Sequence, residues 1–421
     1  MPIYDSGPID NSQTGRAAFA EVSAANAGRL PTNVSIQLYE LPPLAFGTQT
    51  NNPLFTSLFY LQPRGNPNDT VSSGLVALGS AFGVRVLSSG TGEDDVAVHV
   101  TFYDADSRII RNINVPATAP TPLLAYVATS RPSVSIIDIS TDQVVTTIPT
   151  VPDIATGSTS TPDGTHFYVS VAGSNVVNVY DTTTNTVIDS ILAAGTPTGV
   201  FMRPDGLHMY ITYSVTNNVD VIDVATNTLI GAPPTGAAPL AVAFALSAGK
   251  AYVTNSSNAS ITVIDTNTLA VITTILLTDN PFGIAATPDG SRVYACLQSD
   301  DVVVISTLTD AVITTISLSP SVGVFDIAIT PDGTKAYVTT TVTGDIRVIN
   351  TVTNNTIPNA TIVLGDGPRS IAITPDGTRA YITTTVTSTV KTIDLKTNAI
   401  IGVIPVDDGP NDIAISPNLL F

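Results

Sequence analysis

The chain has 421 residues, of which 12% are charged and 43% are hydrophobic, and its formal net charge is −18. This acidic balance disfavours nucleic acid as a partner, because binding it requires a basic surface that displaces counterions. The longest apolar run has the length of a strand, well short of the roughly 18 residues that indicate a membrane-spanning helix, so we expect a soluble protein with no membrane span.

Residues 1–30 form a polar lead that is rich in Gly, Asn and Ala. We expect no secretory signal peptide here, because both the basic and the apolar regions of such a signal are missing. Two interpretations stay open: a disordered tail, or a donor segment that pairs with the open edge of another subunit's sheet. The candidate anchors of a donor segment are Ile3, Ile9, Phe19 and Val22. Head-to-tail contacts of that kind do not close on themselves, so the second interpretation predicts a homopolymeric filament.

Residues 31–116 alternate between apolar and polar side chains, which is the pattern of half-buried strands. The alternation is clearest at Val96, Val98, Val100 and Phe102. About six such strands, separated by turns rich in Gly, Pro, Asn and Asp, predict a small antiparallel β-sandwich or jelly-roll-like domain. An incomplete sandwich leaves an edge open to strand addition. Residues 117–122 form a proline-rich linker.

From residue 123 to residue 421 the chain repeats one motif, written DIAITPDGTKAYVTTT from Asp326 and SIAITPDGTRAYITTT from Ser370. A tyrosine marks each copy, at intervals of 42, 42, 42, 42, 43 and 44 residues. The seven tyrosines are Tyr126, Tyr168, Tyr210, Tyr252, Tyr294, Tyr337 and Tyr381. Each complete copy holds four strand-like runs, and its PDG triplet suits a tight turn with Pro at fixed φ and Gly at positive φ. The repeat predicts a seven-bladed β-propeller with four-stranded blades.

The two ends of the repeat region complement each other. The copy around Tyr126 has three strand-like runs but lacks the IAITPDG-type strand in front of them. Residues 410–417, PNDIAISP, are a strand of that missing type. We therefore expect the C-terminal strand to join blade one and close the ring.

Residues 120–421 resemble the YVTN-type β-propeller family, whose motif stands here as AYVTN (Ala251 to Asn255) with VIDTNT (Val263 to Thr268) behind it. That family includes surface-layer and other cell-surface proteins of archaea and bacteria, so the resemblance implies a surface role more than a reaction. The N-terminal YDSGPIDN (Tyr4 to Asn11) resembles lead domains of propeller-bearing proteins from spore-forming Firmicutes. In surface fibres of such organisms an N-terminal extension completes a neighbour's β-domain, and the resemblance implies the same joining here.

No constellation of catalytic residues stands out. The sequence has no HExxH, P-loop, GxSxG or CxxC motif. His99, His166 and His208 are interpreted as strand residues, with metal ligation as the weaker alternative. We therefore predict no enzyme, no cofactor and no metal site.

Three smaller alternatives stay open. Charge on the channel-facing first strands occurs only at their ends, at Arg203, Asp326, Arg369 and Asp412, and these four side chains either line a small-ligand mouth or solvate the channel rim. The Asp407-Asp408 loop is a plain turn or a Ca²⁺ site. Cys296, the only cysteine, is a small buried residue or forms an intermolecular disulfide.

These observations favour a structural, self-assembling surface protein, a fibre or spore- or cell-surface subunit whose N-terminal region joins copies and whose propeller is displayed. The alternative is an adhesive or ligand-binding propeller that recognises carbohydrate or protein, and a lactonase-like hydrolase comes third. A spore-surface protein is made inside the mother cell and exposed on lysis, so an extracellular location needs no signal peptide.

Overall fold

The computed structural model describes residues 123–416, apart from 151, 163, 214 and 319–321, and within residues 1–122 it describes only the backbone of ten strands. The chain divides into two compact units, Met1–Leu123 and Leu124–Phe421. Regular structure in the described residues is β throughout, except for one 3-10 turn at Leu246–Ala248. No helix in the described part of the chain is long and apolar enough to cross a membrane.

In the first unit the ten strands pair into two antiparallel sheets. Their bounds are β1 Ile3–Asp5, β2 Ile9–Asp10, β3 Phe19–Asn26, β4 Thr32–Leu41, β5 Pro53–Leu61, β6 Thr70–Ser72, β7 Val76–Ala77, β8 Ala81–Gly90, β9 Val96–Tyr103 and β10 Ile109–Val115. One sheet has the order β1-β8-β4-β5 with β2 also on β8, and the other has the order β10-β9-β3-β6 with β7 also on β3. The side chains of the proposed anchors Ile3, Ile9, Phe19 and Val22 lie outside the described residues. The predicted sandwich packing stays a prediction.

The second unit is the predicted seven-bladed propeller, and its four-stranded antiparallel blades confirm that part of the fold prediction. Blade 1 contains β11 Leu124–Thr129, β12 Ser133–Asp138 and β13 Gln143–Pro149; blade 2, β14 Ala155–Ser160, β15 His166–Val171, β16 Val176–Asp181 and β17 Thr186–Leu192; blade 3, β18 Pro197–Met202, β19 His208–Tyr213, β20 Asp220–Asp223 and β21 Thr228–Gly231; blade 4, β22 Pro239–Ala245, β23 Lys250–Asn255, β24 Ser260–Asp265 and β25 Val271–Leu276. Blade 5 contains β26 Pro281–Ala286, β27 Arg292–Leu297, β28 Asp301–Ser306 and β29 Ala311–Ser317; blade 6, β30 Val324–Ile329, β31 Lys335–Thr340, β32 Asp345–Asn350, β33 Asn355–Thr356 and β34 Ile362–Val363; blade 7, β35 Pro368–Ile373, β36 Arg379–Thr384, β37 Thr389–Asp394 and β38 Ala399–Pro405.

The ring closes as the sequence predicts. The last strand, β39 (Pro410–Ser416), pairs antiparallel with β11, from Leu124 opposite Ser416 to Ala128 opposite Asp412. Blade 1 therefore takes three strands from the start of the repeats and its innermost strand from their end. The first strands of successive blades contact one another around a central channel.

The repeated tyrosine is a link between blades. In five blades its hydroxyl donates a hydrogen bond to an Asn or Asp in the turn between the third and fourth strands of the next blade. These pairs are Tyr168–Asn227, Tyr252–Asp310, Tyr294–Asn354, Tyr337–Asn398 and, across the ring closure, Tyr381–Asp142. Each acceptor residue has a positive φ, a left-handed conformation that Asn and Asp tolerate better than other side chains except Gly. The turn chemistry and the packing of neighbouring blades are therefore set by the same residue.

A cation two residues before the tyrosine reinforces the link. Lys250 Nζ donates to the carbonyl of Thr307 at 2.8 Å, and Arg292 Nη1 donates to that of Thr351 at 2.7 Å. Each carbonyl lies in the same turn that receives the tyrosine hydroxyl. Lys250 and Arg292 thus each link their own blade to the next one through a charge-assisted hydrogen bond.

Blade 6 departs from the repeat in its outer strand. The other blades have one outer strand, whereas here two short strands, β33 and β34, both pair with β32. Pro358 falls between them, followed by Asn359 at a φ of 60°. Proline has no N–H for the ladder, so the strand is interrupted there.

The outer strands expose aliphatic side chains, and we call this set the outer-strand girdle. Its members are Val145, Val187, Ile188, Leu229, Ile230, Val271, Ile272, Val312, Ile313, Ile400 and Ile401, which are 38% to 59% exposed. None of the outer strands contains Lys or Arg. Charged side chains and especially lysine usually protect such edges from pairing with other chains. The outer strands therefore present largely apolar edges without positive charge, and Asp189 in β17 is their one charged residue.

Candidate functional site

Each innermost strand begins with an irregularity that aims one side chain into the mouth of the channel. The strand register shifts near the start of the strand, as between Val324 and Ile327 and between Pro368 and Ile371. A bulge of this kind redirects a side chain away from the regular alternation. The side chains so placed, one on each blade, are Thr156, Thr198, Leu240, Phe282, Phe325, Arg369 and Asn411, and all are partly exposed. All of them except Phe282 line one end of a channel that encloses about 360 Å³, whereas Phe282 packs beside Phe325 and against the apolar cluster of blades 5 and 6.

On blades 5 to 7 these side chains form a stacked arc. The rings of Phe282 and Phe325 are 5.8 Å apart between centroids and inclined by 26°. The guanidinium carbon of Arg369 lies 4.8 Å from the centroid of the Phe325 ring, within the range of a cation–π interaction. We call Phe282, Phe325 and Arg369 the mouth arc. Of the two rings only Phe325 lines the channel, so the arc offers one aromatic ring beside one fixed positive charge.

One residue further along each strand, small and acidic side chains form a narrow ring beneath the arc. Asp326 Oδ2 accepts hydrogen bonds from the Ser370 hydroxyl at 3.0 Å and from the backbone N–H of Ile371 at 3.1 Å. Asp412 Oδ2 accepts one from the backbone N–H of Ser158 at 2.7 Å. Each carboxylate thus bonds to the backbone of the next blade. At the equivalent position of blade 5, a Cβ on Gly283 would lie 2.6 Å from Asp326 Oδ1, so glycine is required for this close approach.

The two carboxyl groups share Ser370. Its Oγ lies 3.0 Å from Asp326 Oδ2 and 3.0 Å from Asp412 Oδ1, yet a hydroxyl has a single proton to donate. Both contacts are hydrogen bonds only if one of the two carboxyl groups is itself protonated. Burial raises the pKa of Asp326 to about 6 and also raises that of Asp412. Geometry and electrostatics agree that the Asp326–Asp412 pair retains a proton at pH values well above the usual pKa of an Asp side chain.

The structure brings three of the four predicted mouth residues together and places the fourth elsewhere. Asp326, Arg369 and Asp412 line the channel, whereas Arg203 does not. Arg203 follows the end of its strand, at the opposite end from the mouth, and is 5% exposed. Its Nε lies 2.9 Å from Asp205 Oδ2, and its Nη1 donates to the carbonyl of Thr266 in the next blade. In blade 3 the position two residues before the tyrosine is occupied by His208, so Arg203 serves as the inter-blade cation instead.

The remaining candidate sites have ordinary structural contacts. His208 Nδ1 lies 3.2 Å from Arg203 Nη1, and burial with this cation nearby lowers the pKa of His208. Asp407 accepts a hydrogen bond from Ser133, and Asp408 pairs with Arg131. No group of three or more His, Cys, Asp or Glu in the described part of the chain is placed to hold a metal ion. His99 lies outside the residues whose side chains are described.

Comparisons with known proteins bear on the fold alone. No family model matches this chain, and no curated protein matches it. Hydrazine synthase of Kuenenia stuttgartiensis is structurally similar, with a TM-score of 0.58 and 21% identity over 63% of this chain and 90% of that one. A functionally unknown protein from Desulfotomaculum acetoxidans has a TM-score of 0.62 and 15% identity over 69% of this chain and 98% of that one. At such identities the likeness supports the propeller fold and no shared activity.

Proposed function

We propose that this chain is a structural, self-assembling surface protein with no enzymatic activity, in which the N-terminal segment joins subunits and the propeller is displayed. The observation that carries the proposal is the position of β3. All eight of its residues pair with β9, from Phe19 opposite Tyr103 to Asn26 opposite Val96, while β6 and β7 pair along its other side. Residues 1–30 thus supply an interior strand to a sheet built from much later residues.

A terminal segment of this kind is suited to exchange. It can be withdrawn from one sheet and inserted into the same place in another copy, which restores every backbone hydrogen bond. The outer-strand girdle gives further support, since largely apolar edges without Lys or Arg suit lateral packing between identical propellers. The YVTN-type resemblance of the repeats favours a cell- or spore-surface location.

A pair of cysteines tests strand exchange directly. Val22 and Val100 are paired in the register of β3 with β9, so V22C/V100C in a C296A background places two thiols on adjacent strands. Exchange between subunits predicts a ladder of disulfide-linked multimers on non-reducing gels. N178C/S190C, on paired strands within blade 2, is the control and should give only monomers.

Electron microscopy of the full chain beside the chain lacking residues 1–30 gives the second readout. We expect filaments or large assemblies only in the full-length sample. Linked monomers from V22C/V100C, together with single particles of the full chain, would refute the proposal.

A second candidate function is ligand recognition by the mouth arc, and one observation favours it. The Arg369 guanidinium makes no hydrogen bond or ion pair with another described residue, although the side chain is partly buried. Inter-blade cations such as Lys250 and Arg292, in contrast, bond to backbone carbonyls. An arginine that no structural contact uses, held over an aromatic ring at a channel mouth, is available to a ligand. Loss of carbohydrate binding in Arg369→Gln, measured on a glycan array, is the test.

A further inference from the structure

We propose that the channel mouth binds a carboxylate carried on a six-membered ring, with Arg369 holding the carboxylate and Phe325 holding the ring, while Phe282 supports Phe325 from the neighbouring blade. This inference rests on the second candidate function and names its ligand class. It is independent of whether the chain forms filaments.

The first argument is the hydrogen-bonding capacity of Arg369. A guanidinium has five N–H donors in a planar fork that matches the two oxygens of a carboxylate. None of these donors is used by another described residue. Burial lowers the pKa of Arg369, but a guanidinium stays charged at neutral pH. A partly desolvated cation with free donors gains most from a ligand that is anionic and bidentate.

The second argument is the order of the arc. Phe282, Phe325 and Arg369 lie on consecutive blades, and the guanidinium stacks on a ring that itself stacks on the next. This stacking fixes the guanidinium before the ligand arrives, which reduces the entropy lost on binding. A ligand in the mouth presents its charged group to Arg369 and an apolar ring to Phe325, the arc phenylalanine that lines the channel. The C–H face of a pyranose and a phenyl ring both meet this description.

The third argument excludes other charges. A cationic ligand would need free acceptors, but the oxygens of Asp326 and Asp412 are already engaged by the shared Ser370 hydroxyl and by the backbone N–H groups of Ile327, Ile371 and Ser158. A dianion such as a phosphate monoester would place a second negative charge close to these two residues. A single carboxylate matches one arginine without this penalty.

The test is calorimetric titration of the full-length protein at pH 7 with four probes. D-glucuronate has a carboxylate that D-glucose lacks, so this pair tests the need for the charge. Benzoate and cyclohexanecarboxylate each carry one carboxylate, on an aromatic and on a saturated ring respectively, so this pair shows which kind of ring is preferred. We expect D-glucuronate to bind with a dissociation constant of about 1 mM, as suits 13 heavy atoms at ordinary ligand efficiency. D-glucose should bind at least tenfold more weakly.

Variants assign the contacts. Arg369→Gln should weaken D-glucuronate binding at least tenfold, Arg369→Lys should weaken it less because charge remains without the fork, and Phe325→Leu should weaken binding of every ring-bearing probe. Arg131→Gln, at the exposed pair with Asp408, is the matched control and should bind as the unmodified protein does. Thermal melting of each variant reports whether it is folded.

The outcomes separate the two proposals. The carboxylate inference would be overturned if D-glucose and D-glucuronate bound equally well, or if folded Arg369→Gln bound D-glucuronate as tightly as the unmodified protein does. Neither result would contradict the broader proposal that the mouth recognises a ligand. If none of the four probes binds, the carboxylate inference is refuted, and a glycan array without Arg369-dependent binding then removes ligand recognition as well.

Discussion

Replacing Leu269 with asparagine should stabilise the propeller. Leu269 occupies, in blade 4, the turn position at which the other blades carry Asn or Asp, and it has a φ of 59°. A left-handed conformation costs an ordinary side chain about 1 kcal/mol. The tyrosine that would reach this position, Tyr210 of blade 3, is fully buried and its hydroxyl has no partner. Leu269→Asn would supply the missing acceptor.

The expected gain follows from three contributions. Relief of the backbone conformation contributes about 1 kcal/mol, and satisfying a buried hydroxyl contributes about 1 to 2 kcal/mol. Against these, the partly buried Leu269 side chain packs on the apolar cluster between blades 3 and 4, and its loss costs about 1 kcal/mol. The net gain is about 1 to 2 kcal/mol. For a domain of this size that raises the melting temperature by about 4 °C.

Scanning calorimetry of five proteins checks the reasoning. Asn398→Leu makes the reverse change at an intact link, whose acceptor lies 3.0 Å from the Tyr337 hydroxyl, and should lower the melting temperature. Tyr337→Phe should be destabilising by about 1 kcal/mol, whereas Tyr210→Phe should be neutral or stabilising. The reasoning is refuted if Leu269→Asn melts below the unmodified protein, or if the two Tyr→Phe changes destabilise equally.

Three further predictions concern the ring beneath the mouth, the ring closure and the cysteine. Because the folded-state pKa of Asp326, about 6, exceeds the ordinary value of 3.8, the contribution of this carboxyl group to stability is fully present below about pH 4 and is lost, by up to about 3 kcal/mol, as the pH rises to 6. Aspartates with lowered pKa values act in the opposite direction, so the test compares denaturant titrations of two proteins. The loss from pH 4 to 6 should be smaller in Asp412→Asn, whose amide can donate to Ser370, than in the unmodified protein, and an identical loss would contradict the shared proton. Asp142→Ala removes the acceptor of both Tyr381 and Arg379 at the ring closure and should lower stability by about 2 to 3 kcal/mol. Asp138→Ala, whose contacts are local to its own turn, should lower it less. Equal losses would count against an inter-blade role of Asp142. Cys296 is fully buried and burial raises the pKa of its thiol, so a maleimide should label it only after unfolding, and rapid labelling of the folded protein would disprove this.

The blades were predictable because their signals are local. The PDG turns, the strand-like runs and the tyrosine interval all lie within about forty residues, and the ring closure follows from what the first copy lacks. The links between blades were not predictable in the same way. Tyr252 and Asp310 are 58 residues apart, and the sequence shows them only as a strand tyrosine and a turn aspartate. Four of the five pairs are separated by 58 to 61 residues, and this near-constant spacing was the signal that could have revealed them.

The mouth was predictable in part. Charge at the start of a channel strand drew attention to Asp326, Arg369 and Asp412, which the structure brings to one channel. Arg203 was grouped with them as a charge on a channel strand, but it follows the end of its strand and occupies the position before the PDG turn, where four other copies have threonine. Counting from that turn would have placed it at the far end. Phe282 and Phe325 were missed because aromatic residues in strands ordinarily pack in a core.

The mouth shows how a repeat of near-identical blades acquires one distinct site. At the bulged position only blade 7 carries a cation and only blades 5 and 6 carry aromatic rings, so the arc exists on three consecutive blades and nowhere else around the ring. At the next position most blades have Gly or Ala, while blades 6, 7 and 1 have Asp, Ser and Asp. Unusual residues occur at both positions on blades 6 and 7. At the second position they continue to blade 1, which closes the ring. Substitutions that served only to solvate the channel would be spread around all seven blades, so their clustering favours a site that recognises something.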